Sequence, residues 1–474
     1  MKHTLHALAL AALAAAGCAS TQPHVHGNPP PETKVHWTIA VPSSLRALPE
    51  VDALIRARRD RFTVQVVEFD AAAGTAESRL ASLRASLAKL PHGTAMDEHL
   101  LVVGSPSTIA MGPWNFEGVK TPIATDWLLT NEVSLDGHSV ARDQWQPALA
   151  GMPARTVGRI PFDEPRLVAA AARATLAHDA SSAATTGTAL LGASGTAYAW
   201  PMATVRRELR NHGWSASLRG RGGSCDGSAD GFQGAWTKDS GTARPSMVII
   251  AGSQYEPLDG VGGPRGIRWI LRTDPASQAP SPQANAAPVA AGASSIVVAY
   301  VPQFARAGNP DIADLFAWQQ ASAVAGFTAD VAASPMGPAL AAMQDLPLQL
   351  ADGRSLGMAV ETARAHFWHA AEGDLFAWMP ASREDRAVAA LSAVIYGDPA
   401  LQAIRTTSST DASNNVALEK AVDQDTAAIA VAQGPAVTSA AAETSGDGSI
   451  SLFTVGVIAA VAILAVIVTR RSPQ

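Results

Sequence analysis

The chain has 474 residues, of which 47% are hydrophobic and 16% are charged, and its net charge is −6. This is the composition of a globular protein with roughly two to three domains of ordinary size, and the lack of a basic excess argues against nucleic-acid binding. The two cysteines, Cys18 and Cys225, are too few for a disulfide framework, so apolar burial must hold the core together.

Residues 1–18 have the features of an export signal. Lys2 supplies a positive start, residues 5–16 form an apolar stretch too short to span a bilayer, and small residues run directly into Cys18. This ending resembles a bacterial lipoprotein signal, in which the cysteine thiol is acylated, although the usual leucine three places before the cysteine is absent. The alternative is an ordinary signal peptide with an incidental cysteine. The Pro-rich, polar residues 19–34 then predict a tether.

Residues 35–184 are predicted to form a first α/β subdomain. Thr75 is placed to cap a helix whose leucines recur at helical spacing. Asp163 is placed to cap another helix, which has Pro165 in its first turn and runs to about Asp179. The predicted strands are residues 37–41, 63–69 and 99–104. The last of these is a continuous apolar run, typical of a strand buried on both faces.

Residues 185–404 are predicted to form a second α/β subdomain. A helix is expected from about Pro201 to Gly213, and Leu356 begins a late helix with one apolar face. A stretch rich in Pro, Ala and Ser at residues 275–293 indicates a long internal loop. The predicted strands are residues 189–192, 246–252 and 295–300. This alternation of strands and helices indicates an α/β architecture with mainly parallel sheets.

The C-terminal part predicts a stalk and a membrane-spanning tail. Residues 405–448 have few large apolar side chains and are expected to be disordered. Within the tail, 449–471, residues 450–469 carry no charge and are long enough for a transmembrane helix. Two arginines follow, which the positive-inside rule places in the cytoplasm. The tail also resembles sorting signals that envelope proteases remove, and such removal would reconcile it with a lipid anchor at the outer membrane.

Two motifs in the middle of the chain resemble signatures of one peptidase family. Residues 125–126 and 156–161, with the sequences TD and TVGRIP, resemble the "TD … VGRLP" signature of the gingipain-type cysteine peptidases of the caspase-like clan. Residues 355–357 and 396–401, with the sequences SLG and YGDPAL, resemble the close of that family. The resemblance covers most of residues 37–404. It implies caspase-like α/β/α layers with two subdomains.

The motif residues are expected to have structural roles. Gly158 would let the backbone turn sharply into Arg159, whose guanidinium can pair with Asp126 in a fork geometry. Gly397 and Pro399 are turn residues with defined backbone demands. Such roles support a fold more than a reaction. The full set is Asp126, Gly158, Arg159, Pro161, Gly397, Asp398 and Pro399.

The resemblance also implies a catalytic cysteine and histidine, and this chain lacks both at the matching positions. Ser253 stands where the histidine is expected, and Tyr300 and Val301 stand where the cysteine is expected. An acidic residue of the family is replaced by Ser105. Cys225 lies before both strands in a glycine-rich segment, and no base is placed beside it. Because nucleophilic catalysis needs an activating partner, we expect no catalytic residue of the family to remain.

Three other patterns favour structural interpretations. His366 and His369 could share a metal, but no third ligand is indicated, so two partly exposed helix residues are favoured. Ser194 follows a strand as a serine nucleophile would, but the second glycine of that motif is out of register, which favours a plain turn. The glycine-rich residues 260–266 lack the Gly-Lys-Ser/Thr of a phosphate loop. No metal or cofactor is expected.

These patterns together predict a membrane-anchored protein of the bacterial cell envelope, with its globular part outside the cytoplasm. We expect it to bind a peptide or an envelope protein without cleaving it. Two alternatives stay open. One is an active peptidase that uses Ser253, Ser194 or Cys225, and the other is a structural envelope protein that binds no peptide.

Acylation of Cys18 can be tested by metabolic labelling with a palmitate analogue. The wild-type chain should be labelled, because small residues lead directly into this cysteine, and a Cys18→Ser variant should not. The variant Cys225→Ser is the matched control and should keep the label. Equal labelling of the wild type and Cys18→Ser would contradict the lipoprotein interpretation.

Overall fold

Twelve strands and eleven helices are found in the part of the chain that the computed structural model describes. The described residues are 35–90, 98–131, 133–151, 153–181, 187–193, 196–220, 225–226, 245–252, 295–301, 303–317, 321–329, 338–369 and 382–404. The predicted signal, tether, internal loop, stalk and membrane span lie outside them. Within these ranges, no helix combines the length and apolar character needed to cross a membrane.

The strands alternate with helices along most of the chain. The strands are β1 (His36–Pro42), β2 (Thr63–Phe69), β3 (Glu98–Val103), β4 (Asn115–Phe116), β5 (Ser139–Val140), β6 (Thr156–Ile160), β7 (Thr188–Ala193), β8 (Ser215–Gly220), β9 (Met247–Ala251), β10 (Ser295–Tyr300), β11 (Ala321–Phe327) and β12 (Ala393–Gly397). The helices are α1 (Ser43–Arg46), α2 (Pro49–Arg59), α3 (Ala76–Leu87), α4 (Trp127–Thr130), α5 (Arg142–Ala150), α6 (Pro165–Ser181), α7 (Thr196–Asn211), α8 (Pro310–Ala317), α9 (Pro338–Ala351), α10 (Leu356–His369) and α11 (Arg383–Ser392).

Ten strands form one sheet in the order β2-β1-β3-β6-β12-β11-β10-β9-β7-β8, and β4 pairs with β5 separately. The ladders of the large sheet are parallel except for β11–β12, which is antiparallel. Strands from residues 35–181 fill one half of the sheet, and strands from residues 187–404 fill the other. The expected mainly parallel α/β architecture is confirmed. The sheet is continuous, however, because β12 pairs with β11 and meets β6 in a bridge between Tyr396 and Arg159.

The carboxyl ends of strands from both halves lie at one edge of the sheet. Thr328, directly after β11, donates a hydrogen bond to the carbonyl of Ala124. Asp126, two residues further along, pairs with Arg159 near the end of β6. The segments that follow these strands therefore meet at this edge, which is where α/β proteins place their ligands.

Alternate residues of the inner strands pack into two apolar clusters. In β3, Leu100 and Val102 belong to one cluster, and Leu101 and Val103 belong to the other. Because successive side chains of a strand point to opposite faces, the two clusters lie on the two faces of the sheet. The prediction of a strand buried on both faces is confirmed for β3, all of whose residues are buried.

The first predicted helix cap is confirmed, and the second is wrong. The side chain of Thr75 accepts a hydrogen bond from the Ser78 N–H at 3.2 Å, and the Thr75 N–H donates to Ser78 Oγ. The carboxylate of Asp163 does not cap α6. It accepts hydrogen bonds from the Ser105 N–H at 2.9 Å and from Thr108 Oγ1 at 2.6 Å, because the end of β3 lies beside it.

Helix α7 begins five residues earlier than the position of Pro201 predicts. Proline is typical of a first helical turn, so it marked the start of the predicted helix. Here it lies inside the helix, where Tyr198 and Met202 are buried in the core. Burial of this apolar face outweighs the backbone hydrogen bond that proline removes. The predicted end is correct, since Gly213 follows the helix with φ +81°.

A buried ion network ties β12 to the beginning of the chain. Asp398 accepts from Arg58 Nε at 2.7 Å, from Trp37 Nε1 at 3.1 Å and from the Ala400 N–H at 2.9 Å. Arg58 also pairs with Asp179. Burial alone would raise the pKa of Asp398, but the charge of Arg58 and these hydrogen bonds outweigh it and hold the pKa below its ordinary value. The carboxylate is therefore charged at neutral pH.

Replacement of Asp398 by Asn should strongly destabilise the fold. It leaves the buried guanidinium of Arg58 with Asp179 as its remaining carboxylate partner. We expect the free energy of unfolding in urea to fall by about 3 kcal/mol, since breaking a buried ion pair leaves a charge uncompensated. Arg173→Ala, which removes a half-exposed pair with Glu50, should cost less than about 1 kcal/mol. Equal losses in the two variants would contradict this assignment.

Candidate functional site

The connections of the sheet change direction at β7. The chain passes from β7 to the outer strand β8 and then to β9, β10 and β11 on the other side. The carboxyl ends of β7 and β9 therefore flank a topological switch point, which is a favoured ligand position. Ala193 and Ala251, the last residues of these strands, are register partners there. Ser194 and Ser253, which follow them closely in sequence, lie outside the described residues.

Tyr300 and Val301 occupy the strand end where the resemblance implies a cysteine. Tyr300 ends β10 with 5% of its surface exposed, and Val301 is fully buried. The Gly252 N–H donates to the Tyr300 carbonyl at 3.3 Å, so β9 and β10 stay paired up to this point. Burial raises the pKa of the Tyr300 phenol well above its ordinary value, and the nearby carboxylate of Asp345 adds to the shift. A buried protonated phenol and an alkyl side chain cannot act as a thiolate.

A small apolar cavity lies behind Tyr300, between the sheet and helices α9 and α10. Its volume is about 20 Å³, and Phe327, Leu346 and Phe367 contribute to its walls. A cavity of this size has room for about one water molecule. It is too small to hold a large peptide side chain.

His366 forms a hydrogen bond through Nδ1 with Asp345, which joins α10 to α9. Both side chains are partly exposed, as the sequence predicted for this histidine. The side chain of His369 lies outside the described part, so the suggested pair of metal ligands is not seen together. Among the described side chains, no three potential ligands of His, Cys, Asp or Glu type come together.

Cys225 lies beside the outer strand β8, away from the end of β10. A Cβ atom on Gly220 would come within 3.1 Å of the Cys225 Sγ and 3.0 Å of the Ala193 carbonyl, so the thiol packs at the ends of β7 and β8. Burial raises the pKa of the thiol, the charge of Arg206 lowers it in part, and Asp226 raises it again. The thiol is therefore mainly protonated at neutral pH, unlike a catalytic cysteine.

Arg159 forms the bidentate pair with Asp126 that the sequence predicted. Its Nε and Nη2 donate to the two carboxylate oxygens at 2.9 and 2.6 Å. Its Nη1 donates to the carbonyls of Gly104 and Ile109, each at 3.0 Å, and of Ser105 at 3.3 Å. The side chain is fully buried, so its donors serve the fold and not a ligand.

The predicted role of Gly158 is wrong. It lies inside β6 and not at a turn, and a Cβ atom there would come within 2.2 Å of the Gly397 carbonyl and 2.8 Å of Pro399 Cδ. Glycine is required at this position because the chain that follows β12 approaches it too closely for a side chain. Gly397 is the last residue of β12 and does not lie in a turn, but its φ of +119° confirms the predicted backbone demand for glycine. Pro161 follows β6 directly and is partly buried.

Asp163 stands beside the position of the missing family acid. Ser105, which replaces that acid in sequence, donates to Asp163 through its N–H and its hydroxyl, each with a bond of 2.9 Å or shorter. Burial would raise the pKa of Asp163, but the bonds from Ser105 and Thr108 outweigh it and lower the pKa. The sequence did not place this carboxylate at the sheet edge. The hydroxyl residues that follow β3 were the available signal.

Comparison with known proteins gives a limited result. No family model matches the chain, and no curated protein matches it. A solved structure described as "Structure of Protease" is similar, with 10% sequence identity and a TM-score of 0.49. The similarity covers 78% of this chain and 79% of that chain.

The raised pKa of Cys225 can be tested by alkylation in a Cys18→Ser background. The rate of reaction with iodoacetamide should be low at pH 7 and should rise with pH through the range above 9, because burial disfavours the thiolate. Asp226→Asn should move this profile to lower pH, and Arg206→Ala should move it to higher pH. A profile centred below pH 7 would show an activated thiol and contradict the assignment.

Proposed function

We propose that this chain is an envelope-anchored homologue of the gingipain-type peptidases that has lost the catalytic pair and acts by binding. It carries no cofactor, and its partner is a peptide or another envelope protein. Its anchors are the lipid on Cys18 and the apolar residues 450–469, and its globular part lies outside the cytoplasm.

The main support is that two buried residues, Tyr300 and Val301, stand at the end of β10. A nucleophile at this position must present a reactive atom to a substrate at the carboxyl edge of the sheet. Here the phenol is held protonated by burial, and the next residue is aliphatic. Neither group can attack a peptide carbonyl.

The position of Cys225 also supports the proposal. Strands β7 and β9 separate β8 from β10 in the sheet. Three strand spacings correspond to about 14 Å, which is far beyond the hydrogen-bond reach that a nucleophile and its base require. A thiol beside β8 cannot therefore share a catalytic pair with a group at the end of β10.

Binding remains possible because the strands that end at this edge are complete. β7, β9 and β10 are paired up to Ala193, Ala251 and Tyr300. The switch point between β7 and β9 keeps the geometry that places ligands in α/β proteins. A surface built from the ends of these strands suits an extended peptide, and the cavity behind Tyr300, at about 20 Å³, is too small to enclose a small molecule.

Peptides from a library rich in Arg and Lys should bind to the full-length protein in detergent without being cleaved. Mass spectrometry of the bound and unbound peptides would measure binding and cleavage, and treatment with iodoacetamide should change neither. Cys225→Ala, Ser253→Ala and Ser194→Ala are the matched variants. Sustained cleavage that one of them abolishes would establish a peptidase. Failure to retain any peptide or envelope protein would favour a purely structural role.

A further inference from the structure

The two outermost strands of the large sheet differ in whether the chain itself covers their free sides. Strand β8 forms one edge and strand β2 forms the other. An edge strand has unpaired N–H and C=O groups that can pair with another strand, and proteins normally block such edges. The comparison between β8 and β2 therefore indicates where a further strand can add.

The outer side of β8 is closed by contacts within the chain. The Leu218 N–H donates to the Asp226 carboxylate at 2.9 Å, and the Leu218 carbonyl accepts from the Asp226 N–H at 2.9 Å. The Ala216 carbonyl accepts from Arg210 Nε at 2.9 Å. Arg206 and Arg210 also pair with Asp226 and hold it against the strand. A second strand cannot pair here unless Asp226 leaves.

The outer side of β2 is open in the described structure. The Thr63 N–H donates to the Val35 carbonyl, so Thr63 and every second residue after it face β1. Val64, Val66 and Glu68 therefore point their backbone groups away from the sheet. Among the described residues, none donates to or accepts from these outward groups. The strand also has no proline, and only Glu68 in it is charged.

The side chains of β2 are also incompletely buried. No residue of β2 is fully buried, whereas every residue of the next but one strand, β3, is buried. Val64 and Val66 pack partly against one apolar cluster, and Val67 and Phe69 pack partly against the other. A further strand beside β2 would extend the covered sheet on both faces.

We propose that β2 pairs with β2 of a second copy of this chain, antiparallel and centred on Val66. In this register Val66 faces Val66 of the other copy, and Val64 faces Glu68. The outward backbone N–H and C=O groups of one copy then lie opposite those of the other, which allows about six hydrogen bonds between the copies. No like charges lie opposite one another, so the strand is complementary to itself.

The closed edge at β8 explains why assembly stops at two copies. If both edges were open, β2 of one copy could pair with β8 of the next, and such head-to-tail contacts form open filaments. Asp226 blocks that contact at β8. The pairing of β2 with β2 uses the same surface on both copies, so it closes as a two-fold dimer.

The register can be tested by cross-linking in a Cys225→Ser background of the full-length chain in detergent. A Val66→Cys variant should form a disulfide dimer under mild oxidation, because the two residues would lie about 5.5 Å apart between Cα atoms. Val64→Cys is the matched control and should stay monomeric on a denaturing gel, because the Cα atoms of its two copies would lie about 15 Å apart. Equal cross-linking of both variants, or of neither, would overturn the proposed register.

A second measurement tests the interface without a new thiol. Wild-type protein should have the mass of a dimer by light scattering in detergent, after the detergent mass is subtracted. Val66→Pro should be monomeric yet folded by circular dichroism, because the N–H that proline removes faces outward and takes no part in the pairing with β1. A monomeric wild type would overturn the proposal, as would a Val66→Pro variant that remains a dimer. Co-purification of a monomeric wild type with a different protein would show that another partner takes this edge.

Discussion

The ion pair between Asp398 and Arg58 joins the last strand of the sheet to a helix near the start of the globular part. Both side chains are fully buried, so the charge of Asp398 depends on Arg58 for compensation, while Arg58 is compensated by Asp398 and Asp179 together. The pair fixes the chain directly after β12, which lies between the two halves of the sheet. Gly158 and Gly397 allow the backbones to approach closely at this junction. The continuity of the sheet, and with it the common edge where the strands end, depends on this contact.

The elements that sequence reasoning predicted well are those whose signals are local. Strand β2 was predicted with its observed bounds, because this short run is rich in β-branched residues. The cap at Thr75 was predicted because a threonine before an amphipathic run satisfies helix N–H groups within its own segment. Neither prediction required knowledge of distant residues.

The errors concern residues whose partners are distant in sequence. Asp163 was expected to cap the adjacent helix, but Ser105 is close in space and supplies better-placed donors. Gly158 was expected to turn the chain, whereas its role depends on Gly397, which comes more than two hundred residues later. The burial of Asp398 was likewise hidden, because nothing near it in sequence shows that Arg58 will compensate its charge.

The residues that carry the family resemblance make contacts within the folded chain. Each side-chain nitrogen of Arg159 already donates to Asp126 or to a backbone carbonyl, and Asp398 is enclosed by Arg58 and Trp37. A fully satisfied buried group has no capacity left for a substrate. Motifs of this kind can therefore persist whether or not chemistry occurs at the strand ends. This is why the resemblance indicates a fold and gives no support to a reaction.

The fold also accounts for Cys225 without any catalytic role. The next residue, Asp226, closes the edge of β8 through Leu218 and is held by two arginines of α7. Cys225 is thereby placed against Gly220, where an added Cβ atom would come within 3.1 Å of its Sγ. A small apolar thiol fits this space, and burial keeps it protonated. The same short segment thus blocks one edge of the sheet and places the cysteine beside Gly220, so the structural requirement at β8 is sufficient to explain the position of both residues.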